Sequence, residues 1–323
     1  MAAASASLSS APSLPSLPSI GFHCGAGDGP KGTKLVAHMT ALKAAGLPLT
    51  AAQIFISSPT SYAHCAWTEK TCAAIRDYIT KAGIRLFVHA PYIINPCADD
   101  TVDIHSLLVN LLAKAAAMGA EGVVVHVGKS LKLGEAEGLR RMRVFFDGVL
   151  AAAPAKARLL IETCAGQGTE VARDLTVFGG FIKDVVAAHG AARVGACVDT
   201  CHVFASGYPI ATLADVVGVA IGWENVHLIH LNDSKTECGK RVDRHECIGY
   251  GKIGSTALAT FCKATAANAP HAAFVFETPD TTDVAKDPFS AARGAKPPPC
   301  LRQEEHTWFC GLFTASSSSD TRL

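Results

Sequence analysis

Long apolar runs are missing from this sequence. It contains no stretch of about 18 uncharged apolar residues, which argues against a membrane-spanning helix. Net charge is also nearly absent, because 29 Lys and Arg balance 28 Asp and Glu to leave +1. This balance excludes the basic overall field of many nucleic-acid-binding proteins. A nucleic-acid partner would therefore have to be held by a local basic patch or by bound metal.

Paired cysteine motifs are absent as well. The 12 cysteines are scattered along 323 residues without a Cys-x-x-Cys pair, and Cys197 and Cys262 lie within apolar runs. This distribution favours free, buried thiols in a reducing, intracellular compartment over a disulfide scaffold, while leaving disulfides in a few loops open.

Charged residues are also lacking at the start of the chain. Its first 20 residues are rich in Ala, Ser and Pro and carry none of the Lys or Arg typical of secretory and transit peptides. We expect disordered tails over 1–18 and 314–323, and one domain over 19–313 that contains a proline-rich loop at 281–300.

Between the tails, short β-branched runs alternate with longer Ala- and Leu-rich segments. The predicted strands are 19–23, 51–56, 84–90, 121–127, 158–162, 193–199, 226–231 and 273–277. The predicted helices are 33–46, 68–82, 103–119, 134–152, 173–189, 211–224, 255–268 and 301–312. Strands without polar alternation are typical of parallel sheets. Eight strand–helix units predict an α/β fold of the (β/α)8 TIM-barrel class, with an open doubly wound sheet as the rival.

Metal-binding side chains stand at the ends of the last six predicted strands. In chain order they are His89, His126, Glu162, Asp199, His230 and Glu277, and His202, Asp243 and His245 follow closely after two of these strands. Barrel active sites form at this end of the sheet, so we expect the nine groups to converge. One such histidine or carboxylate is more often a hydrogen-bonded structural residue. Six strands that all end in such side chains would place several charges opposite one another across the mouth of the barrel, which is unfavourable unless cations compensate them.

The donor types indicate which metal would bind. Imidazoles and carboxylates suit Zn²⁺ best, with Mn²⁺ or Fe²⁺ as alternatives, and we expect Cys201 to point elsewhere. A catalytic zinc takes about three protein ligands, so nine donors fit about three ions. The charges of three divalent ions, four carboxylates and one bridging hydroxide add up to about +1, which would attract a phosphodiester.

Seven segments occur in a characteristic order: "VHAPYIIN", "VVVHVGKS", "LLIETCAGQG", "VGACVDTCHVFASGY", "LIHLNDSK", "RVDRHECIGYGKIG" and "FVFETP". Together they resemble the endonuclease IV family, the barrel-type apurinic/apyrimidinic (AP) endonucleases, from about residue 20 to about residue 312. The "DTCH", "HLNDSK" and "VDRH" segments are highly specific in combination.

The resemblance implies a cofactor of three Zn²⁺ ions, with Mn²⁺ or Fe²⁺ left open at one site. The implied ligands of the first zinc are His89 and His126, and Glu162 would bridge the first zinc to the second. Asp199, His230 and Glu277 would complete the second zinc site. His202, Asp243 and His245 would hold the third zinc. Every position carries the expected residue type, which argues against a catalytically inactive relative.

The implied reaction is hydrolysis of the phosphodiester 5′ to an abasic site in duplex DNA. A zinc-held hydroxide would be the nucleophile and Glu162 the catalytic bridging ligand, leaving a 3′-hydroxyl and a 5′-deoxyribose phosphate. The resemblance also implies trimming of blocked 3′ ends and leaves incision beside oxidised bases open. We expect a monomer that binds damaged duplex DNA and no membrane.

Several residues are predicted to contact DNA. Tyr92 and Ile93 match the family's loop that fills the gap left by the abasic nucleotide, although Tyr92 could simply pack its own loop. In "FISSPTSYA", Ser58, Thr60 and Tyr62 replace an Asn, an Arg and a Trp of the family, so the arginine contact is not predicted. The predicted phosphate contacts are Lys129, Lys235, Lys240, Arg241, Arg244 and Lys252.

Two other functions stay open from the sequence. A metal-dependent sugar isomerase or epimerase shares the barrel and part of the metal site but usually lacks the Asp243 and His245 pair. A non-catalytic protein that binds abasic sites would keep its metal only for folding.

Overall fold

The computed structural model describes residues 17–26, 33–44, 47, 49–99, 103–279 and 301–314. The main strands are β1 (Ser19–Ala26), β2 (Ala51–Phe55), β3 (Arg85–His89), β4 (Gly122–His126), β5 (Leu159–Glu162), β6 (Val194–Asp199), β7 (Val226–His230) and β10 (Ala273–Phe276). They form a closed parallel barrel in the order β1-β10-β7-β6-β5-β4-β3-β2. The predicted TIM barrel is confirmed, and the open sheet is not.

Helices surround the barrel. They are α1 (Thr33–Ala44), α2 (Glu69–Ala82), α3 (Ile104–Met118), α4 (Glu135–Ala152), α5 (Leu175–His189), α6 (Thr200–Ser206), α7 (Leu213–Ala220), α8 (Ser255–Asn268) and α9 (Leu301–Gly311). Local sequence sets their ends: the Asp174 side chain accepts the Thr176 N–H at 2.8 Å before α5, and Gly83 ends α2 at a φ of 68°.

The structure differs from the sequence prediction in the segments after β6 and β7. The predicted helix over 211–224 is only α7, flanked by 3-10 turns at Ile210–Thr212 and Trp223–Asn225. Helix α6 and the antiparallel pair β8 (Asp233–Ser234) and β9 (His245–Glu246) were not predicted. These additions occupy the loops after β6 and β7, where several candidate ligands lie.

The interior of the barrel is a packed core. Its fully buried side chains are Ala51, Phe87, Val124, Leu160, Cys197, Leu228, Ala273 and Val275. A larger cluster fills the space between strands and helices. At one helix contact, a Cβ on Gly179 of α5 would overlap the carbonyl oxygen of Ala220 at the end of α7. Because apolar side chains fill the barrel, the polar strand ends lie at its mouth.

The predicted tails and proline-rich loop fall almost entirely on 1–16, 280–300 and 315–323, outside the described residues. Within the described part of the chain, no single helix is long and apolar enough to span a membrane. Helix α6 and the segment Ile210–Ala220 reach that length only as a pair bent by 109°.

Candidate metal centre at the mouth of the barrel

The structure places all nine predicted ligands at one end of the barrel. Strand register sets some of them side by side: His126 on β4 pairs with Glu162 on β5, and Asp199 on β6 pairs with His230 on β7. His202 lies in α6, which starts directly after β6, and its backbone N–H donates to the Asp199 carboxylate at 2.8 Å.

The first group of donors surrounds one oxygen of Glu162. Its Oε2 atom lies 3.3 Å from His89 Nε2 and 3.1 Å from His126 Nε2. This oxygen is buried and has no hydrogen-bond partner. A buried carboxylate oxygen that faces two ring nitrogens without a hydrogen bond is an incomplete arrangement, which a cation between the three atoms would complete.

The second group surrounds His230. Its Nδ1 atom lies 2.9 Å from Glu162 Oε1, 3.1 Å from Glu277 Oε2 and 3.8 Å from Asp199 Oδ2. One ligand atom from each of these four residues lies within 4.8 Å of the others, as a shared metal ion would require.

The third group lies toward the β8–β9 hairpin. His202 Nε2 is 3.2 Å from Asp243 Oδ2, and His245 Nε2 is 3.2 Å from Asp243 Oδ1 and 3.5 Å from Asp199 Oδ2. The buried His245 Nε2 atom has no hydrogen-bond partner. The arrangement again leaves an imidazole nitrogen directed at carboxylates.

Three of the histidines are held in the tautomer that metal binding needs. Nδ1 of His89 donates to the carbonyl of Ala90 at 2.7 Å, and Nδ1 of His202 donates to the carbonyl of Thr163 at 2.9 Å. Nδ1 of His245 lies 3.4 Å from a third backbone carbonyl. Because a carbonyl only accepts, each Nδ1 carries a proton, and Nε2 is the nitrogen left to bind a metal ion in the site.

Charge in the site favours cations. Burial alone would raise the pKa of Glu162, but the imidazoles of His230 and His126 hold that pKa well below its usual value. Burial would lower the pKa of His245, but Asp199 and Asp243 raise it to about 9. The Glu162 carboxylate is therefore ionised at neutral pH, and its negative charge favours a positive charge in this buried volume.

Two cysteines also approach the ligands. Cys201 Sγ lies within 4.8 Å of ligand atoms of Asp243 and His245, so the expectation that it points elsewhere is wrong. Cys197 on β6 is equally close to two other members of the set. Burial raises the pKa of both thiols to about 12, which keeps them protonated and disfavours them as ligands. All the cysteines that the structure describes are free thiols.

The sequence prediction missed an amide and a carboxylate that support the ligands. Asn232 is fully buried, donates to Asp199 Oδ2 at 2.7 Å and accepts the Glu277 N–H at 2.9 Å. Asp233 accepts the backbone N–H groups of Gly249 at 3.0 Å and Ile253 at 2.9 Å, which fixes the loop after the hairpin. Both residues belong to the "HLNDSK" segment, which is the signal that could have indicated them.

Two further residues were missed. Gln53 on β2 and His23 on β1 contact Glu277, and Gln53 also contacts His230. His23 ends the apolar run "SIGFH", just as other histidines end theirs, so the sequence carried a signal for it. Gln53 lies inside an apolar strand, where nothing in the sequence indicated its partners.

A cavity of about 340 Å³ opens above the ligands, with Tyr92 and Lys129 on its wall. Tyr92 is 52% exposed, and its ring lies 5.3 Å from that of Phe55 and 5.4 Å from that of His89. Ile93 is half-buried, and its carbonyl lies 3.5 Å from the hydroxyl of the exposed Tyr62. The loops after β2 and β3 therefore meet beside the cavity.

The predicted phosphate contacts are divided between two loops. Lys129 is exposed after β4, with Nζ 3.8 Å from Glu170. The others lie in and after the β8–β9 hairpin: Lys235, Lys240, Arg241, Arg244 and Lys252. Arg241 is exposed and Arg244 donates to the Asp243 carbonyl at 2.6 Å, whereas Lys252 pairs with Glu237 at 3.1 Å.

Known proteins match the chain over most of its length. The family model described as xylose isomerase-like TIM barrel matches residues 40–309. A probable endonuclease 4 of Citrifermentans bemidjiense is 35% identical over 214 residues, covering 62% of this chain and 74% of that protein. One from Chloroflexus aggregans is 32% identical over 259 residues, covering 76% and 87%. The crystal structure of endonuclease IV from Thermus thermophilus superposes with a TM-score of 0.70 at 29% identity, covering 92% and 97%.

Proposed function

Because the chain belongs to the endonuclease IV family of xylose isomerase-like TIM barrels, we propose that it is a DNA-repair AP endonuclease. It would hydrolyse the phosphodiester 5′ to an abasic site in duplex DNA and leave a 3′-hydroxyl and a 5′-deoxyribose phosphate. The observation that carries the proposal is the position of Glu162, whose two oxygens face different histidines.

The donor set fits a cluster of zinc ions. His89, His126 and Glu162 would hold one ion, and the same carboxylate would reach the next. The second ion would be completed by Asp199, His230 and Glu277. A third would be held by His202, Asp243 and His245, whose ring nitrogens lie 3.2 Å from the Asp243 carboxylate. Glu162 Oε2 and His245 Nε2 support this fit, because both are buried polar atoms without hydrogen-bond partners.

The chemistry divides between the metal and the chain. Bound zinc would stabilise the negative charge of the phosphodiester as a Lewis acid and activate water for attack. Burial raises the pKa of Cys164, whose thiol lines the cavity, to about 12, so this cysteine is not the nucleophile. Burial, with the charges of Glu277 and Glu162, also raises the pKa of Tyr92, so its hydroxyl stays a hydrogen-bond donor at neutral pH.

The mouth suits a nucleotide that has left the base stack. A cavity of about 340 Å³ has room for a sugar phosphate without its base. Tyr92 and Ile93 would contact the DNA beside the lesion, and Lys129, Lys235, Arg241 and Arg244 would contact phosphates. Trimming of blocked 3′ ends, a monomeric state and a compartment that contains DNA complete the proposal.

The proposal is tested on a duplex with one abasic-site analogue and a 5′ label on the damaged strand. We expect one cut 5′ to the analogue that gives a 3′-hydroxyl end extendable by a polymerase. Prolonged chelation should abolish cutting and Zn²⁺ should restore it. An undamaged duplex of the same sequence is the control. Equal cutting of both duplexes, or none by metal-loaded protein, would contradict the proposal.

The description of the matching family keeps a sugar isomerase or epimerase as the second candidate. Its metal site would not need the group formed by His202, Asp243 and His245. Incubating the same metal-loaded protein with aldoses and ketoses separates the two enzymes. A non-catalytic protein would instead bind the abasic duplex and leave it intact.

A further inference from the structure

Gln53 joins two of the proposed metal ligands through its side-chain amide. The residue is fully buried on β2, with Oε1 2.8 Å from His230 Nε2 and Nε2 2.6 Å from Glu277 Oε1. The amide NH₂ of Gln53 donates to this carboxylate oxygen, which accepts. The amide oxygen is thereby directed at His230.

This orientation decides where His230 carries its proton. Because Gln53 Oε1 is an acceptor, His230 Nε2 must donate to it. Nδ1 is then the nitrogen left to bind a metal ion, and it lies 2.9 Å from Glu162 Oε1 and 3.1 Å from Glu277 Oε2. The same amide thus sets the tautomer of one ligand and holds the carboxylate of another.

His23 completes the arrangement around the amide. Its Nδ1 atom lies 2.9 Å from Gln53 Nε2 and 3.1 Å from Glu277 Oε1. The amide nitrogen thus lies within hydrogen-bond distance of Glu277 and His23, and the amide oxygen within that distance of His230. A satisfied polar group at a site without solvent has a single low-energy orientation.

Gln53 differs from the groups that orient the neighbouring ligands. His89 and His202 donate to the backbone carbonyls of Ala90 and Thr163, which substitution cannot remove. His230 instead relies on a side chain. The orienting contact can therefore be deleted here while the ligand itself is kept.

We propose that Gln53 is a positioning residue for one ion of the cluster, the one that His230 and Glu277 would hold. The inference rests on the proposed function only in requiring that the site binds divalent cations. Outer-shell partners of this kind change metal affinity by about 10- to 100-fold. Removing the amide should lower the affinity for only one metal ion per chain. The two ligands that the Gln53 amide contacts, His230 and Glu277, belong to the same group of donors.

The test measures metal affinity, independently of DNA cleavage. Gln53→Leu and Gln53→Met remove the amide but keep an apolar side chain of similar length. Asn225→Leu is the matched control, since it deletes a buried amide that donates to the Ile221 carbonyl at 2.8 Å before β7, away from the ligands. Zinc per chain is measured against increasing chelator, and Co²⁺-loaded samples are compared by absorption.

Wild type and Asn225→Leu should release zinc at the same chelator concentration. Either Gln53 variant should release one equivalent at about 10- to 100-fold lower chelator and show a changed Co²⁺ spectrum. The second variant covers the case in which one fails to fold, as judged by circular dichroism. Unchanged zinc affinity and an unchanged Co²⁺ spectrum in a folded Gln53 variant would overturn the role of Gln53 but leave the proposed function in place. A wild-type chain that binds no divalent cation would overturn the proposed function with it.

Discussion

Glu162 and His230 contact each other through Oε1 and Nδ1 at 2.9 Å, and both side chains are fully buried. The other oxygen of Glu162, Oε2, lies 3.1 Å from His126 Nε2. One carboxylate therefore connects two groups of imidazoles that come from different strands. A substitution at this position should affect both groups.

Glu162→Gln should abolish cleavage of the abasic duplex while leaving the barrel folded. The amide keeps the shape of the side chain but removes the charge shared by two proposed ions, so metal affinity should fall by more than about 100-fold. Metal content, cleavage and circular dichroism are the measurements. Glu170→Gln, at the same cavity but outside the nine ligands, should keep its metal. Full metal content in Glu162→Gln would contradict the bridging role.

Tyr92→Ala should reduce kcat/KM for the abasic duplex by about 10- to 100-fold, because stacking of an aromatic ring on DNA contributes about 1–3 kcal/mol. Metal content should not change. Tyr92→Phe keeps the ring and should retain most of the activity, which separates stacking from the hydroxyl. If Tyr92 only packs against Phe55 and His89, the alanine variant will melt at a lower temperature but bind DNA normally when folded.

Glu305 makes stability depend on pH. Burial raises its pKa from 4.5 to about 7, although its carboxylate accepts from the Ile248 N–H and the Thr278 hydroxyl. The folded chain binds this proton more tightly than the unfolded chain. The group's contribution is therefore complete below pH 4.5 and is lost as pH rises through about 7.

Glu305→Gln should remove this dependence, since the amide does not ionise. The difference in unfolding free energy between wild type and Glu305→Gln should change with pH. As pH rises from low values to values above the pKa of Glu305 in the folded chain, wild type should lose roughly 3 kcal/mol relative to the variant. Urea unfolding of both metal-loaded proteins at several pH values measures the difference. A difference that stays constant with pH would contradict the raised pKa.

Neighbouring glycines in α5 should respond in opposite ways to alanine. Gly179→Ala places a Cβ against the Ala220 carbonyl and should destabilise the fold by about 1–3 kcal/mol. Nothing lies within 4 Å of a Cβ on Gly180, so Gly180→Ala should stabilise α5 by about 0.5–1 kcal/mol. Thermal unfolding measures both, and equal melting temperatures would count against the α5–α7 packing.

The strand ends were predictable because they depend on local sequence. An apolar run that stops at His126 or Glu162 indicates both the strand and its final side chain, and the parallel arrangement brings such ends together. The barrel and the location of the nine donors followed from this. Their grouping by individual atoms required the structure.

The supporting contacts were not predictable, because they depend on register across the barrel. Gln53 and His230 are 177 residues apart and meet only when β2 and β7 face each other inside the closed sheet. Cys201 was misplaced for a related reason. The turn into α6 directs its thiol toward Asp243 and His245, and the sequence did not indicate that helix.

The nine side chains should gather divalent cations, and cleavage of the abasic duplex should depend on those cations. Elemental analysis of purified, active protein, repeated at stages of chelation and zinc readdition, tests this dependence most directly. We expect about three zinc ions per chain, with cleavage of the abasic duplex falling and returning together with metal content. Full cleavage by protein that contains no divalent cation would contradict this expectation.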